Sequence, residues 1–520
     1  MRNYFLMSLI LVVGAVKANN ISVSNVTLAG QNVSAGVNNA ANFTYIEFDL
    51  TWDNSWRTSS APNNWDAAWV FVKYRTTGSS TWSHVKLAPS GHNSSSTTPT
   101  TSYSVQVGLM DESVAHNATT NPAVGAFIYR SGNGTGTFSA NDIRLKWFYR
   151  DNGVGDNDII DVEVYAIEMV YVPDGSFTVG DNGNSGGTGS AAAVYQFYKF
   201  VSGANTGYEI SSENSLSIQG YGTNNHNVLT ADNANGGNVG TISASFPKGY
   251  KGFYCMKYEC SQQQYVDFLN SLNSTQQANR APTYNAPGSI RQMISASSGV
   301  YSTTLPSVPV NYITWMDLAA YMDWAGLRPM TELEYEKAAR GTGTPVTAEY
   351  AWGNTTTTAH TNTLTNAGAS NEVSATSGAN IAYHGAGSSA GPIRVGAFAN
   401  SSTSRSSAGA SYYGIMELSG NLVEQVAHVT AGLTSFSGYH GNGELTAAGH
   451  GDVSSWPGLT SGAVTGATGA GVRGGSFASD YIHRCKISDR QNAYTPSSAE
   501  DAYAGIRGVH TKPITASETK

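Results

Sequence analysis

Three stretches in the first third of the chain repeat their chemistry every second residue, and that period limits what they can fold into. In YIEFDLTW (45–52), Ile46, Phe48, Leu50 and Trp52 alternate with Glu47, Asp49 and Thr51. SYSVQVGL (102–109) repeats the scheme with Tyr103, Val105, Val107 and Leu109, and DIRLKWFY (142–149) with Ile143, Leu145, Trp147 and Tyr149. A side-chain period of two is that of a strand with one face buried, and Gly/Asn/Ser-rich turns between such runs favour an antiparallel sandwich. The expected sandwich covers residues 19–165. It contains no catalytic constellation, so its expected role is that of a spacer, adhesion or packing module.

Helical spacing appears only later. In SQQQYVDFLNSLN (261–273), Tyr265, Phe268, Leu269 and Leu272 recur at i, i+3, i+4 and i+7, with Ser261 placed to cap the first turn. A second helix is predicted after Thr314, with Trp315, Leu318, Ala319 and Met322 on one stripe and Gly326 at its end. A third begins at the capping box Thr331-x-x-Glu334 and stops at Gly341. From 342 to 510 periodicity fades into Gly/Ser/Thr/Asn loops, a length of irregular chain that needs something such as bound metal to order it. The fold class is therefore α+β, with an antiparallel β-sandwich followed by a second, loop-rich domain.

The first eighteen residues, MRNYFLMSLILVVGAVKA, combine an early Arg2, a short apolar run and small residues at Val16 and Ala18. That pattern predicts a secretory signal peptide over 1–18, hence an exported or surface-attached protein. No later stretch approaches the roughly 20 apolar residues of a membrane-spanning helix. The formal charge of −8, with 12% charged residues and no basic cluster, leaves little to hold nucleic-acid phosphates. Three cysteines in 520 residues are too few for a disulfide framework. Cys255 and Cys260, if extended, stand more than about 15 Å apart, leaving open only a long-range pair with Cys485.

Six short motifs follow one another in the second part: VPDGSFTVGD (172–181), PVNYITWMDLAAYMDWAGLRPMTELEYEKAARG (309–341), YAWGN (350–354), GIMELSGNLVEQV (414–426), VRGGSF (472–477) and GIRGV (505–509). In this order they resemble the formylglycine-generating enzyme (sulfatase-modifying factor) family over about residues 166–510, leaving 511–520 as a tail. The resemblance implies a variant of the C-type lectin fold with little regular secondary structure, and bound calcium. It implies that Glu417, Gly420, Leu422 and Glu424 hold one calcium through two side chains and two carbonyls. For a second calcium it offers Asn380 and Ile381. It also implies that Arg328, Arg340, Arg473 and Arg507 are internal arginines paired with carboxylates or carbonyls.

Oxidase members of the family use a pair of copper-binding cysteines after the GGS turn. Counted from Ser476, the matching positions here are Ser479 and Arg484, and one inserted residue brings Cys485 onto the second. Copper(I) favours soft thiolates, and a hydroxyl is a hard, weak substitute. Copper is therefore not expected, and Cys485 is read as a buried structural thiol, with a lone-ligand role in an oxidase as the alternative. The leading expectation is a non-catalytic extracellular protein that binds a glycan or protein ligand. Its expected binding face comprises Ser479, Asp480, Tyr481, His483, Asn492, Tyr494 and Tyr503, polar and aromatic loop residues between the GGS and GIRG anchors. A peptide-cysteine oxidase and a self-assembling structural subunit are the alternatives.

Overall fold

A computed structural model of the chain describes residues 21–94, 99–181, 196–201, 204–221, 226–229, 238–282, 289–429 and 436–514. The expected signal peptide and the end of the tail lie outside these residues. Strand β1 (Ser22–Asn32) pairs with β2 (Phe43–Arg57). In β2 the alternation is visible atom by atom, with Ile46, Phe48, Leu50 and Trp52 at most 1% exposed and their neighbours facing outward. Strands β3 (Asp66–Thr76), β4 (Tyr103–Leu109), β5 (Ala123–Arg130) and β6 (Gly134–Trp147) follow. Sheet one runs β1-β2-β6 and ends on the two-residue strand Asn93–Ser94. Tyr149, expected to continue β6, instead opens a 3₁₀ turn, Tyr149–Asn152, and remains buried.

Strand β7 (Ile160–Val172) joins the two parts of the molecule. Along one edge it pairs with β3 over eleven residues, from Asp66↔Val170 to Thr76↔Ile160; along the other it pairs with β8 (Phe253–Met256). The expected boundary at 165/166 lies inside this strand. With β9 (Arg328–Thr331), β10 (Glu424–Ala427), β11 (Ala470–Arg473) and β12 (Gly508–Thr511) it forms a ten-stranded sheet, ordered β11-β10-β9-β12-β8-β7-β3-β5-β4, with Ser83–His84 paired to β3.

One sheet thus serves two cores. Because strand side chains alternate in direction, Ala68, Val70 and Val72 of β3 face sheet one with Phe48, Leu50 and Trp147, forming the sandwich interior. Trp69 and Phe71, one residue out of phase, face the helices. This is why β3 is buried along nearly its whole length and reads as an unbroken apolar run, AAWVFV, instead of alternating.

The helices stand where their caps predict. Helix α1 (Gln262–Ser271) carries a capping box from Ser261 to Gln264, and a short α2 (Ser274–Arg280) follows. Helix α3 (Trp315–Trp324) begins at Thr314, whose hydroxyl is paired with Asp317, and α4 (Glu332–Arg340) begins at the Thr331/Glu334 box. Gly326 adopts φ +68 just past α3, the left-handed position that releases the chain. Phe71 meets Trp324 edge-on at 4.9 Å, and Phe268 meets Tyr321 at 5.6 Å. No described helix is long and apolar enough to cross a membrane.

Candidate functional site

The segment after β11 begins with two left-handed glycines, Gly474 (φ +80) and Gly475 (φ +63). A Cβ on Gly475 would lie 2.7 Å from Cys485 Sγ, so glycine is what lets the backbone pass over that sulfur. Cys485 closes the 3₁₀ turn Ile482–Cys485 and is 0% exposed, in one apolar cluster with Tyr335, Tyr350, Leu418 and Ile487. Burial pushes its thiol well above the ordinary range. The position expected for a first soft ligand holds Ser479, whose Oγ accepts a hydrogen bond from Ser476 N at 2.8 Å and caps a local turn. Cys255 and Cys260 are likewise buried, and all three thiols are free. His483 stacks on Tyr481 at 5.1 Å, and among the described residues no three His, Cys, Asp or Glu side chains converge as a metal cluster.

The GIMELSGNLVEQV turn gathers charge. Glu417 (φ +57), Gly420 (φ +88) and Asn421 (φ +64) all take left-handed backbone, which folds the segment back on itself. Glu417 Oε1 accepts from Gly396 N at 2.7 Å, while its buried Oε2 has no partner. Glu424 Oε1 accepts from Arg507 Nε at 2.9 Å. A third carboxylate, Glu259, accepts from Leu422 N at 2.8 Å and from Asn421 Nδ2 at 2.5 Å. Arg507 spends its other two nitrogens on the carbonyls of Met256 and Met416, both at 2.8 Å. Three buried carboxylates therefore lie in the field of one guanidinium, which is ion-paired with Glu424, and Arg394 is a further positive neighbour of Glu417.

Burial pushes Glu417 up to about 7 and raises Glu259 and Glu424 as well. Surplus negative charge on hard oxygens, with one oxygen unpartnered, fits a calcium ion held by Glu417 and Glu424. The second expected pair fits less well. Asn380 Oδ1 already accepts from Thr358 N at 2.8 Å, and the Ile381 carbonyl from His360 N at 3.0 Å. Glu259 was not foreseen; its signal was a lone acid inside the apolar run FYCMKYEC.

The expected binding residues lie on two segments that the fold brings together through an edge contact of Phe477 with Tyr503 at 5.5 Å. Tyr481 is 59% exposed and Tyr494 42%; Asp480 and Asn492 are exposed, and Ser479, His483 and Tyr503 half-buried. Buried ion pairs hold the ends of these segments. Glu332 of α4 accepts from Arg473 at 3.0 Å and, through both oxygens, from Arg490 at 2.9 and 2.8 Å. Arg340 bridges Glu336 (2.9 Å), Glu349 (2.6 Å) and Ser488 Oγ (2.6 Å). Arg328 grips Glu334 at 2.6 and 2.8 Å, so all four arginines singled out in the sequence are internal ion-pair partners. Further along, Trp315 N donates to Ser497 O at 2.7 Å and Val423 N to Tyr503 O at 2.8 Å.

Residues 161–512 match the family model described as the sulfatase-modifying factor enzyme 1-like domain. The chain is similar to a formylglycine-generating enzyme of Thermomonospora curvata, with 50% identity over 52 residues; the match spans 10% of this chain and only 16% of that enzyme. Treponema denticola variable protein 1 is a structural neighbour at 14% identity and TM-score 0.30, covering 67% of this chain and 96% of its own. PvdO from Pseudomonas aeruginosa is another, at 16% identity and TM-score 0.30, covering 66% and 94%.

Proposed function

This chain belongs to the sulfatase-modifying factor family, and from that premise we propose that it is an exported, non-catalytic member that binds an extracellular ligand. The observation that carries the reading is the pair of side chains after the GGS turn. Ser479 offers a hydroxyl already engaged in a turn, and the Cys485 sulfur is sealed in an apolar cluster. A soft monovalent metal finds no pair of thiolates in that donor set. The loops above carry instead a polar and aromatic surface around Tyr481 and Tyr494, of the kind that recognises glycans or protein surfaces. Calcium at Glu417 and Glu424, with the Gly420 and Leu422 carbonyls, serves as the structural ion beneath that surface, and its binding free energy becomes folding free energy.

Screening the immobilised mature chain against glycans and cell surfaces tests the proposal. Tyr481→Ala with Tyr494→Ala should weaken the captured ligand by at least about tenfold, ~1.4 kcal/mol, without lowering the melting temperature. Unchanged binding removes this face. Copper at one equivalent, with oxidation of a peptide cysteine that Cys485→Ser abolishes, would replace the proposal with the oxidase reading. For the ion, chelation should lower the melting temperature and added calcium restore it in the wild type but not in Glu417→Gln. Calcium should also bind more tightly as pH rises through about 7, because it displaces the proton on Glu417.

A further inference from the structure

Asp66, Glu168 and Lys257 stand side by side at one end of the sandwich interior. Glu168 lies on β7 directly across from Ala68 of β3, so Asp66, two residues from Ala68, shares its face. Lys257 follows the last residue of β8 and extends that ladder, its N–H donating to the Glu168 carbonyl at 2.9 Å. Lys257 Nζ is 3.0 Å from Glu168 Oε2 and 3.8 Å from Asp66 Oδ2. The side chains are 6%, 1% and 0% exposed, respectively. Trp56 and Tyr258 cover the amine, with their ring centroids 5.0 and 5.3 Å from Nζ.

We propose that Lys257 and Asp66 condense into an intramolecular isopeptide bond, with Glu168 as the proton carrier. Glu168 Oε2 takes a proton from the Lys257 ammonium along the 3.0 Å contact, and the freed Nζ lone pair attacks Cγ of protonated Asp66. Negative charge collects on Oδ1, where Ser55 Oγ and Trp56 N both donate at 2.9 Å, an oxyanion hole already formed. Glu168 relays a second Nζ proton to Oδ2, which also accepts from Trp52 Nε1 at 2.8 Å. The C–N bond forms, the Cγ–Oδ2 bond breaks, and Oδ2 leaves as water. One ammonium, one carboxylic acid and one carboxylate become one amide, one water and a neutral Glu168. Atoms and charge balance with no oxidant or outside reactant.

Two further features favour the reaction. Glu168 Oε1 is buried without a hydrogen-bond partner, as a group kept for proton transfer rather than for structure can be. Fixed neighbours in a buried site also gain the large effective concentration of an intramolecular reaction. Burial pushes Glu168 up to about 7 and Asp66 upward, the direction that favours the protonated Asp66 the attack needs. Burial alone would lower Lys257, but Glu168 and its neighbours hold it above its ordinary value, so the ion pair is the resting state. The bond would tie β3 to β8 across β7, locking the sandwich to the remainder of the sheet.

Intact mass and peptide mapping of the purified full chain test this. The expected result is a chain lighter by one water, with a branched peptide joining Lys257 to Asp66 and no tryptic cleavage after Lys257. Full mass, or a water loss mapped elsewhere, overturns the proposal without recourse to any variant. Lys257→Arg and Glu168→Gln should retain the water. Glu168→Gln that folds, judged by near-ultraviolet circular dichroism, yet is fully cross-linked would overturn the proton-carrier role. Cross-linked wild type should also melt higher than folded Glu168→Gln.

Discussion

The indole N–H of Trp69, on sandwich strand β3, donates to the carbonyl of Ala325 at the end of α3, 2.7 Å away in space and 256 residues away in sequence. The ring lies against two glycines of neighbouring strands: a Cβ on Gly108 or Gly125 would sit 2.7 or 2.4 Å from it. Close approach, not backbone freedom, is what both glycines supply. Trp69 therefore ties a sandwich strand to the end of α3 within the core on the helical face of the sheet, while its strand neighbours Ala68 and Val70 close the sandwich interior on the other face.

Trp69→Ala should accordingly cost about 3–5 kcal/mol, the range for deleting a buried aromatic. Trp69→Phe, which keeps most of the volume but leaves the Ala325 carbonyl unpaired, should cost about 1–3 kcal/mol. Calorimetry should show one transition shifting as a unit in both variants. Two separable transitions, with only one of them moved, would refute the coupling of the two cores through their common sheet.

The ion-pair frame under the loops makes a prediction with a pH sign. Burial alone would raise the carboxyl of Glu332, but Arg490 foremost, with Arg473, holds it down at about 2. A folded value below the unfolded one, about 4.3, means the stabilisation is complete above that pH and lost as pH falls toward 2. Glu332→Gln takes the carboxylate from the buried Arg490 guanidinium, while Arg473 keeps Glu336, and should cost about 3–5 kcal/mol near neutrality. Urea midpoints measured from pH 7 to 2 should fall more steeply for the wild type than for the variant.

What could be read from the chain alone follows from how local each signal is. The alternation of 46–52 and the helix starts at Ser261, Thr314 and Thr331 depend on a few neighbouring residues, and each stands where the sequence places it. β7 serves the sandwich and the sulfatase-modifying-factor-like part at once, a relation set by pairings nearly a hundred residues apart, and no local pattern carries it. Glu168 in AIEMVYV, Asp66 before AAWVFV and Lys257 in FYCMKYEC each break an apolar run with a charge. Each break was visible alone; only the strand register shows that the three meet. The loop residues Tyr481 and Tyr494 were legible as exposed because little nearby could cover them, whereas the support from Arg490 was hidden in its distance from α4.

The thiols should be silent in the native protein. Cys255, Cys260 and Cys485 are all 0% exposed, and burial pushes each upward, Cys255 to about 12. Because the thiolate is the reactive form, a disulfide reagent at pH 8 should titrate none of them until denaturant is added, then three. Rapid native labelling of Cys485 would contradict its place in the apolar cluster and reopen it as a ligand.

The last prediction concerns His440 and His510, whose rings lie parallel at 3.6 Å, wholly buried against Trp69 and Phe127. His440 Nε2 accepts from Thr511 N at 2.9 Å, which leaves Nδ1 to donate to the Leu109 carbonyl, also at 2.9 Å. His510 Nδ1 donates to the Thr511 carbonyl, and its Nε2 has no partner. Burial lowers both, His510 to about 3, and Arg328 opposes a further positive charge. The unfolded rings take up protons near pH 6.5 while the folded pair does not, so stability falls as pH drops from about 6.5 toward 3, by up to about 1.4 kcal/mol per pH unit for each ring. Glu112, 4.0 Å from His510 and pushed by burial up to about 8, acts in the opposite direction. Folded Glu112 keeps its proton where the unfolded chain has lost it, so its contribution declines as pH rises from about 4.3 to about 8. His440→Gln, which preserves one acceptor and one donor, should flatten the acid limb, and Glu112→Gln the neutral one. An acid limb of unfolding free energy against pH that His440→Gln leaves unchanged would show that the stacked pair is not what senses acid.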